Sequence, residues 1–179
     1  PYLDINDSYI KHITLISKLC KKLSKNFKIL FLPHSVGINQ KSKNYDLRIY
    51  NDIIKMNKSN DNFIILNEEL EPKELKSVIS KSKLLIGERL HSVIAGSSSN
   101  VPSIALSFKK DVRLNMVSPV ITKKNVFYIE ELKIDLIFNK IKSIFKNYNS
   151  EKRNLKKNYK QISLSSYKSI KLLKNILGI

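Results

Sequence analysis

Apolar residues follow two different spacings along this chain. From Ile5 to Leu23 they recur every three or four residues, which predicts a helix with one buried face. Short apolar runs then alternate with further helix-like stretches, and such runs are typical of buried strands. The predicted strands are 27–32, 63–66, 84–86, 102–106 and 126–128, and the predicted helices between them are 46–56, one that opens at Pro72, and 91–98.

This alternation of strands and helices predicts an α/β fold. Short connections favour a parallel sheet with helices on both faces, and right-handed crossovers make the arrangement Rossmann-like. Residues 1–131 are predicted to form this domain. Residues 132–179 are predicted to form basic helices, broken near 147–150, that pack back on the domain or on a further domain of the same protein.

Composition narrows the class of protein. Cys20 is the one cysteine, so no internal disulfide framework is expected, and no Cys/His cluster has the spacing of a metal site. No leader pattern is visible, and no apolar stretch approaches the roughly 20 residues that cross a bilayer, so we expect a cytoplasmic protein. The chain begins at Pro1 within helix-like sequence, and we expect it to be part of a longer protein.

The chain is strongly basic, with 33 Lys and Arg against 15 Asp and Glu and a net charge of +18. Such a charge favours anionic ligands, anionic lipid or nucleic acid, although a composition bias towards Lys, Asn and Ile explains it equally well. Between residues 139 and 179 the only acidic residue is Glu151. Clustered Lys beside apolar positions there supports the hypothesis of a peripheral location on the inner face of the cell membrane.

Arg89 and His91 are the leading candidates for chemistry. They follow the third predicted strand, where parallel sheets bind ligands. The Arg89 guanidinium matches a carboxylate or phosphate, and His91 at the start of a helix can titrate near neutral pH. Spacing alone also fits a structural explanation, in which Arg89 pairs with Glu88 and His91 caps the helix.

A longer pattern around these two residues favours the functional explanation. Residues 84–95 (LLIGERLHSVIA) precede residues 100–108 (NVPSIALSF), and Pro33-His34 ends the first strand. This pattern resembles the polysaccharide pyruvyltransferase family, with its Gly-x-Arg-x-His, Val-Pro and Pro-His signatures, over roughly residues 5–120. The resemblance implies the C-terminal, donor-binding half of a fold similar to B-type glycosyltransferases, and an N-terminal domain that is absent from this chain.

The resemblance also implies a reaction. The family transfers pyruvyl from phosphoenolpyruvate to sugar hydroxyls, commonly as a cyclic ketal on a cell-surface glycan or its lipid-linked precursor, with no cofactor. Arg89 would bind one anion of the donor, and His91 would contact the phosphate or donate a proton. His34 and Lys110 are further candidates for substrate binding, with Lys109 beside Lys110, although a loop histidine bonded to the backbone explains His34 equally well. Family members often carry Lys where this chain has Asp111, which leaves Lys110 as the replacement.

Two other functions fit parts of the sequence. A glycosyltransferase that uses a nucleotide sugar would share the architecture, but no glycine-rich phosphate loop or paired-Glu pattern follows the third or fourth strand. A basic module that binds nucleic acid would use the Lys-rich end with Tyr148, Tyr159 and Tyr167 as stacking groups. Their helical spacing favours packing instead, so nucleic acid is not an expected partner.

Overall fold

Strands and helices alternate along the chain in the computed structural model, which describes residues 5–34, 46–58, 60–68, 70–111 and 123–177. The helices are α1 (Ile5–Leu23), α2 (Asp46–Met56), α3 (Pro72–Ser80), α4 (Leu90–Ser98), α5 (Ile134–Lys146) and α6 (Tyr148–Leu177). The strands are β1 (Ile29–Phe31), β2 (Phe63–Ile65), β3 (Leu85–Gly87), β4 (Ser103–Ser107) and β5 (Val126–Tyr128), and short 3-10 helices cover Lys123–Asn125 and Ile129–Glu131.

The chain divides into two compact units. The described residues up to Leu70, together with Lys133–Phe138, form the first unit, and Glu71–Leu132 with the described residues from Asn139 onwards form the second. All strand pairs are parallel, with β1 beside β2 in the first unit and the order β3-β4-β5 in the second. The predicted α/β, Rossmann-like class with parallel strands flanked by helices is thus confirmed, whereas the domain boundary at 131/132 stays a prediction.

The first unit is built around an apolar contact between its helices and its two strands. Ile13 and Cys20 of α1, Phe31 of β1, Ile53 of α2 and Phe63 of β2 are buried together. The Phe31 and Phe63 rings meet edge to face with centroids 5.6 Å apart, a favoured aromatic geometry. The three- and four-residue spacing seen in the sequence therefore does mark the buried face of α1.

Polar contacts fix the pairing of α1 with α2. The Tyr9 hydroxyl donates a hydrogen bond of 2.7 Å to the Asp52 carboxylate, and the Asn57 amide donates one of 2.8 Å to the Ser17 hydroxyl. Burial raises the pKa of Tyr9 to about 12, and the bond to Asp52 acts in the same direction. Asp52 therefore has a structural partner.

The second unit has β4 as its central strand. All five residues of β4 are buried, as expected for a parallel strand covered on both faces. The strand begins at Ser103, one residue later than predicted, because Pro102 has no N–H to donate and contributes only its carbonyl, which accepts from Leu85 N at 3.0 Å. The β3 strand likewise extends one residue further than predicted, since Gly87 pairs with Ala105.

Helix α4 packs closely on this sheet. A Cβ atom at Gly87 would overlap the Ser92 hydroxyl, and one at Gly96 would overlap the Ser103 hydroxyl and approach Leu85 Cδ2 to 2.7 Å. Small residues at both positions therefore allow the close approach of helix and strands. Val93, fully buried, packs against Ala105 of β4 beneath the helix.

The C-terminal region forms two helices separated at Asn147, as predicted. Ile137, Ile141 and Ile144 of α5 are fully buried at helical spacing. Tyr148 begins α6, where the ammonium groups of Lys83 and Lys152 each lie 5.7 Å from the centre of its ring. None of the helices in the described part of the chain is both long enough and apolar enough to span a membrane.

Candidate functional site

Arg89 and His91 lie together where β3 passes into α4. Arg89 is the N-cap residue, with the extended backbone typical of that position (φ −101°, ψ 135°), and His91 lies in the first turn of the helix. Both side chains are exposed. The first N–H groups of a helix have no intrahelical acceptor, and they favour anions. The pair therefore adds a guanidinium and an imidazole to a helix end whose field favours anions.

Buried groups behind the pair hold the backbone of Arg89. The Ser92 hydroxyl donates a hydrogen bond of 2.6 Å to the Arg89 carbonyl, and the Ser92 N–H donates to the same oxygen at 3.1 Å. Ser92 is itself buried against Gly87, where only a hydrogen atom fits. The small residues around the Arg-x-His motif thus determine the backbone position from which Arg89 and His91 project.

A second group of charges follows β4, the neighbour of β3. Carboxyl ends of parallel strands share one edge of a sheet, so residues 108–110 lie on the same edge as Arg89 and His91. Phe108, Lys109 and Lys110 are all exposed. The structure thus brings Arg89, His91 and Lys110 to one edge of a single sheet.

Lys109 is tied to two carboxylates. Its backbone N–H donates to both oxygens of Glu130, at 3.0 and 3.3 Å, and its ammonium forms an ion pair with Glu131. The hydrogen bond to Glu131 is the main reason why the pKa of Lys109 lies above its usual value. Of the two lysines, Lys110 is therefore the better candidate for an incoming anion.

Glu130 and Glu131 were not singled out in the sequence. They come two and three residues after the end of β5, in a chain with more than twice as many basic as acidic residues. Their position after a predicted strand was the available signal. What the pattern lacked was the pairing of β5 with β4, which brings these carboxylates to Lys109.

Asp111 closes the turn after β4. Its N–H donates to the Phe108 carbonyl at 2.8 Å, and the residue is half-buried. The cation expected at this position from the family pattern is thus replaced by an acid in a tight turn, beside the exposed Lys110. That Lys110 replaces this missing cation stays a prediction.

His34 belongs to the first unit, where it follows β1. Its backbone N–H donates to the Asp46 carboxylate at 2.9 Å, and its ring Nε2 is buried. Asp46 is buried at the first position of α2, so this carboxylate has a structural part in joining the end of β1 to the helix. A role for His34 in substrate binding stays a prediction.

Among the residues that the structure describes, no three His, Cys, Asp or Glu side chains come together as a metal site. The candidate site is instead an arrangement of cations and an imidazole. Such groups bind anions and transfer protons.

Comparison with known protein families identifies the family to which these residues belong. The profile of the polysaccharide pyruvyl transferase family matches residues 2–110. The chain belongs to this family. Membership of this family indicates that the protein is a transferase enzyme. It also confirms the resemblance seen in the sequence.

The family match has a definite extent. It covers more than half of the 179 residues, includes β1 to β4 and contains Arg89, His91, His34 and Lys110. Asp111 lies immediately beyond it. No curated protein and no solved structure matches the chain. The residues that carry the candidate chemistry therefore lie within the range that the family profile matches, whereas β5, α5 and α6 lie outside it.

Proposed function

We propose that this chain is the donor-binding part of an enzyme that transfers a pyruvyl group from phosphoenolpyruvate to sugar hydroxyls. The observation that carries the proposal is the position of Arg89 and His91 at the N-terminus of α4, with Lys110 on the same edge of the sheet. Phosphoenolpyruvate carries a carboxylate and a phosphate, and this edge offers two cationic side chains and a helix N-terminus to receive them.

Arg89 acts as the anion clamp in this proposal. Its planar guanidinium can donate two parallel hydrogen bonds to the carboxylate or the phosphate of the donor, which an ammonium group cannot do. Lys110 contributes a point charge from the next strand. The backbone of Arg89, held in its extended N-cap conformation by Ser92, supports this role.

His91 acts as the proton donor. Protonation of the methylene carbon of phosphoenolpyruvate by the imidazolium makes the adjacent carbon electrophilic, and a sugar hydroxyl adds to it and loses its proton. The bond from that carbon to the phosphate oxygen then breaks, and a second hydroxyl adds. The products are a cyclic ketal and inorganic phosphate, with one hydroxyl proton in the new methyl group and the other on phosphate. Arg89 and Lys110 stabilise the charge of the departing phosphate.

The acceptor is proposed to be a cell-surface glycan or its lipid-linked precursor, modified on the cytoplasmic side of the membrane. Its contacts are assigned to an N-terminal domain that completes the cleft. His34, which follows β1, is proposed to contact substrate as well. These points rest on the family to which the chain belongs.

Calorimetric titration of the full-length protein with phosphoenolpyruvate tests the clamp. We expect Arg89→Ala to weaken binding by about tenfold to a hundredfold, because a charge-assisted hydrogen bond contributes roughly 1.5–3 kcal/mol. Arg89→Lys should restore only part of the affinity. Arg153→Ala, which removes an exposed Arg of α6, is the matched control and should bind as the parent does. Equal affinity in the parent and Arg89→Ala would remove the assignment.

Turnover in deuterated water tests the proton donor separately. If His91 delivers the proton, the new methyl group carries solvent deuterium, and His91→Gln retains donor binding while turnover falls by about a hundredfold or more. His12→Gln, in α1, is the control and should react normally. A His91→Gln variant that turns over at the parental rate would show that another group supplies the proton.

A further inference from the structure

The second half of α6 presents large apolar side chains to solvent. Leu164, Tyr167 and Ile170 are exposed to 53%, 68% and 54%, and Ile176 near the end of the helix reaches 72%. Leu164, Tyr167 and Ile170 are called the outer stripe below. Spaced three residues apart, they form a continuous strip along one side of the helix. Exposed apolar side chains grouped in this way mark a binding surface more often than a free one.

Lysines border the outer stripe on the same side of the helix. Lys160 and Lys168 lie four residues before and after Leu164, and Lys174 lies four residues after Ile170, so each is the neighbour of a stripe residue. All three are exposed. From residue 139 to the end of the chain the only acid is Glu151, which lies in the first turn of α6.

We propose that the outer stripe and its bordering lysines dock on an anionic lipid surface. The apolar side chains would enter the boundary between headgroups and acyl chains, with the helix lying in the plane of the membrane. The lysines would reach the lipid phosphates through their flexible stems. Charge complementarity carries the choice of partner, since anionic lipids attract clustered Lys near the surface.

The mixture of residue types favours lipid over an apolar protein partner. A protein core that covered the outer stripe would also have to cover Lys160 and Lys168, and lysines are almost never buried without a partner. A membrane interface imposes no such cost, because the ammonium groups stay in the hydrated headgroup layer.

Vesicle sedimentation with the full-length protein tests the charges. The probes are vesicles of phosphatidylcholine alone and of phosphatidylcholine mixed with phosphatidylglycerol. We expect binding only to the anionic vesicles. Replacing Lys160, Lys168 and Lys174 together by Gln should weaken it by about tenfold or more. Replacing Lys11, Lys55 and Lys76 by Gln removes the same charge from exposed positions elsewhere and should have a much smaller effect.

The outer stripe is tested by the same vesicle sedimentation. Leu164, Tyr167 and Ile170 replaced together by Ser should weaken binding to anionic vesicles, whereas Ile10 and Leu136 replaced by Ser should not. The two control side chains are exposed to 55% and 57% on other helices. Since the chain has no tryptophan, Tyr167→Trp also provides a single fluorescent reporter. Its emission should shift to shorter wavelength with anionic vesicles, and that of Ile10→Trp should not.

Four results would overturn the proposal. The first two are equal binding to neutral and anionic vesicles, and an equal loss of vesicle binding in the control lysine variant. The third is a Tyr167→Trp emission that anionic vesicles do not shift. The fourth is self-association or oligonucleotide binding that depends on the outer stripe, with no binding to vesicles. The test requires neither phosphoenolpyruvate nor turnover, so its outcome is independent of the proposed reaction.

Discussion

At the scale of single residues, adjacent lysines differ in what they can offer a ligand. Lys109 is engaged by Glu130 through its backbone and by Glu131 through its ammonium, whereas Lys110 is exposed beside it. An ammonium that already has a carboxylate partner contributes less to a new anion, because the existing pair must be broken or shared. How well each lysine can bind an anion thus depends on whether a carboxylate pairs with it, since the two residues are of the same type.

We therefore predict that Lys110→Ala weakens the binding of phosphoenolpyruvate by about tenfold, and that Lys109→Ala weakens it less. Titration calorimetry of both variants at matched ionic strength measures the difference. Glu131→Gln should release the Lys109 ammonium from its ion pair and so strengthen the binding of phosphoenolpyruvate slightly. The reverse order of the two lysine variants would show that Lys109 leaves Glu131 to meet the donor.

The hydrogen bond between Tyr9 and Asp52 predicts a pH dependence of stability. The Tyr9 pKa rises from 10.0 to about 12 on folding, so its contribution is fully present below pH 10 and is lost as pH rises through about 12. We expect Tyr9→Phe to lower the free energy of unfolding by about 1 kcal/mol at neutral pH. The difference from the parent should shrink above pH 10.

Urea unfolding of the parent and Tyr9→Phe from neutral pH upwards measures that difference. Tyr159→Phe is the control, since Tyr159 is 44% exposed. A difference that stayed constant with pH would show that the Tyr9 hydroxyl titrates normally.

At the scale of elements, the contact between β3 and α4 links stability to the candidate site. Gly87 leaves room for the Ser92 hydroxyl, which in turn bonds to the Arg89 carbonyl. A side chain at Gly87 would push Ser92 away from this position. Packing of the helix and placement of Arg89 therefore depend on the same few atoms.

Gly87→Ala should destabilise the protein by about 1–3 kcal/mol through overpacking and should also weaken donor binding. Ser92→Ala removes the overlapping oxygen, so the double variant should recover part of the stability that Gly87→Ala loses. Ile94→Ala, on the exposed side of α4, serves as the control. Denaturant unfolding of the four variants gives the coupling between Gly87 and Ser92, and strictly additive losses would contradict this account.

At the scale of the whole molecule, the residues outside the family match serve two different purposes. β5 lies beyond residue 110 yet pairs with β4 through three registered residues, and the carboxylates that hold Lys109 follow it. The second half of α6, by contrast, exposes Leu164, Tyr167, Ile170 and Ile176. One part extends the sheet, and the other carries the outer stripe that we propose to dock on lipid.

Two truncations test this division. A chain ending at residue 111 leaves β4 without β5 and exposes buried strand positions, so we expect aggregation or binding of a hydrophobic dye. A chain ending at Lys160 retains the first turns of α6 and should unfold with a free energy close to that of the parent, while losing affinity for anionic vesicles. Cooperative unfolding of the shorter chain would show that the sheet does not require β5.

The sequence by itself determined the order and type of the elements and the motif around Arg89. Helical spacing predicted the buried face of α1, and the short apolar runs predicted all five strands to within a few residues. These features are local, because the side-chain period of a helix or strand is visible within one segment. The Arg-x-His motif was found in the same way, since its residues are adjacent in the chain.

Only the tertiary structure decided which distant residues meet. The pairing of β5 with β4 brings Glu130 and Glu131 to Lys109, about twenty residues earlier in the chain. Lys109 therefore pairs with carboxylates, which leaves Lys110 as the candidate for binding an anion. The fit of Ser92 against Gly87, and the exposure of the outer stripe, likewise depend on how elements pack. Segment periodicity records which face is apolar, but strand pairing and packing decide what that face touches.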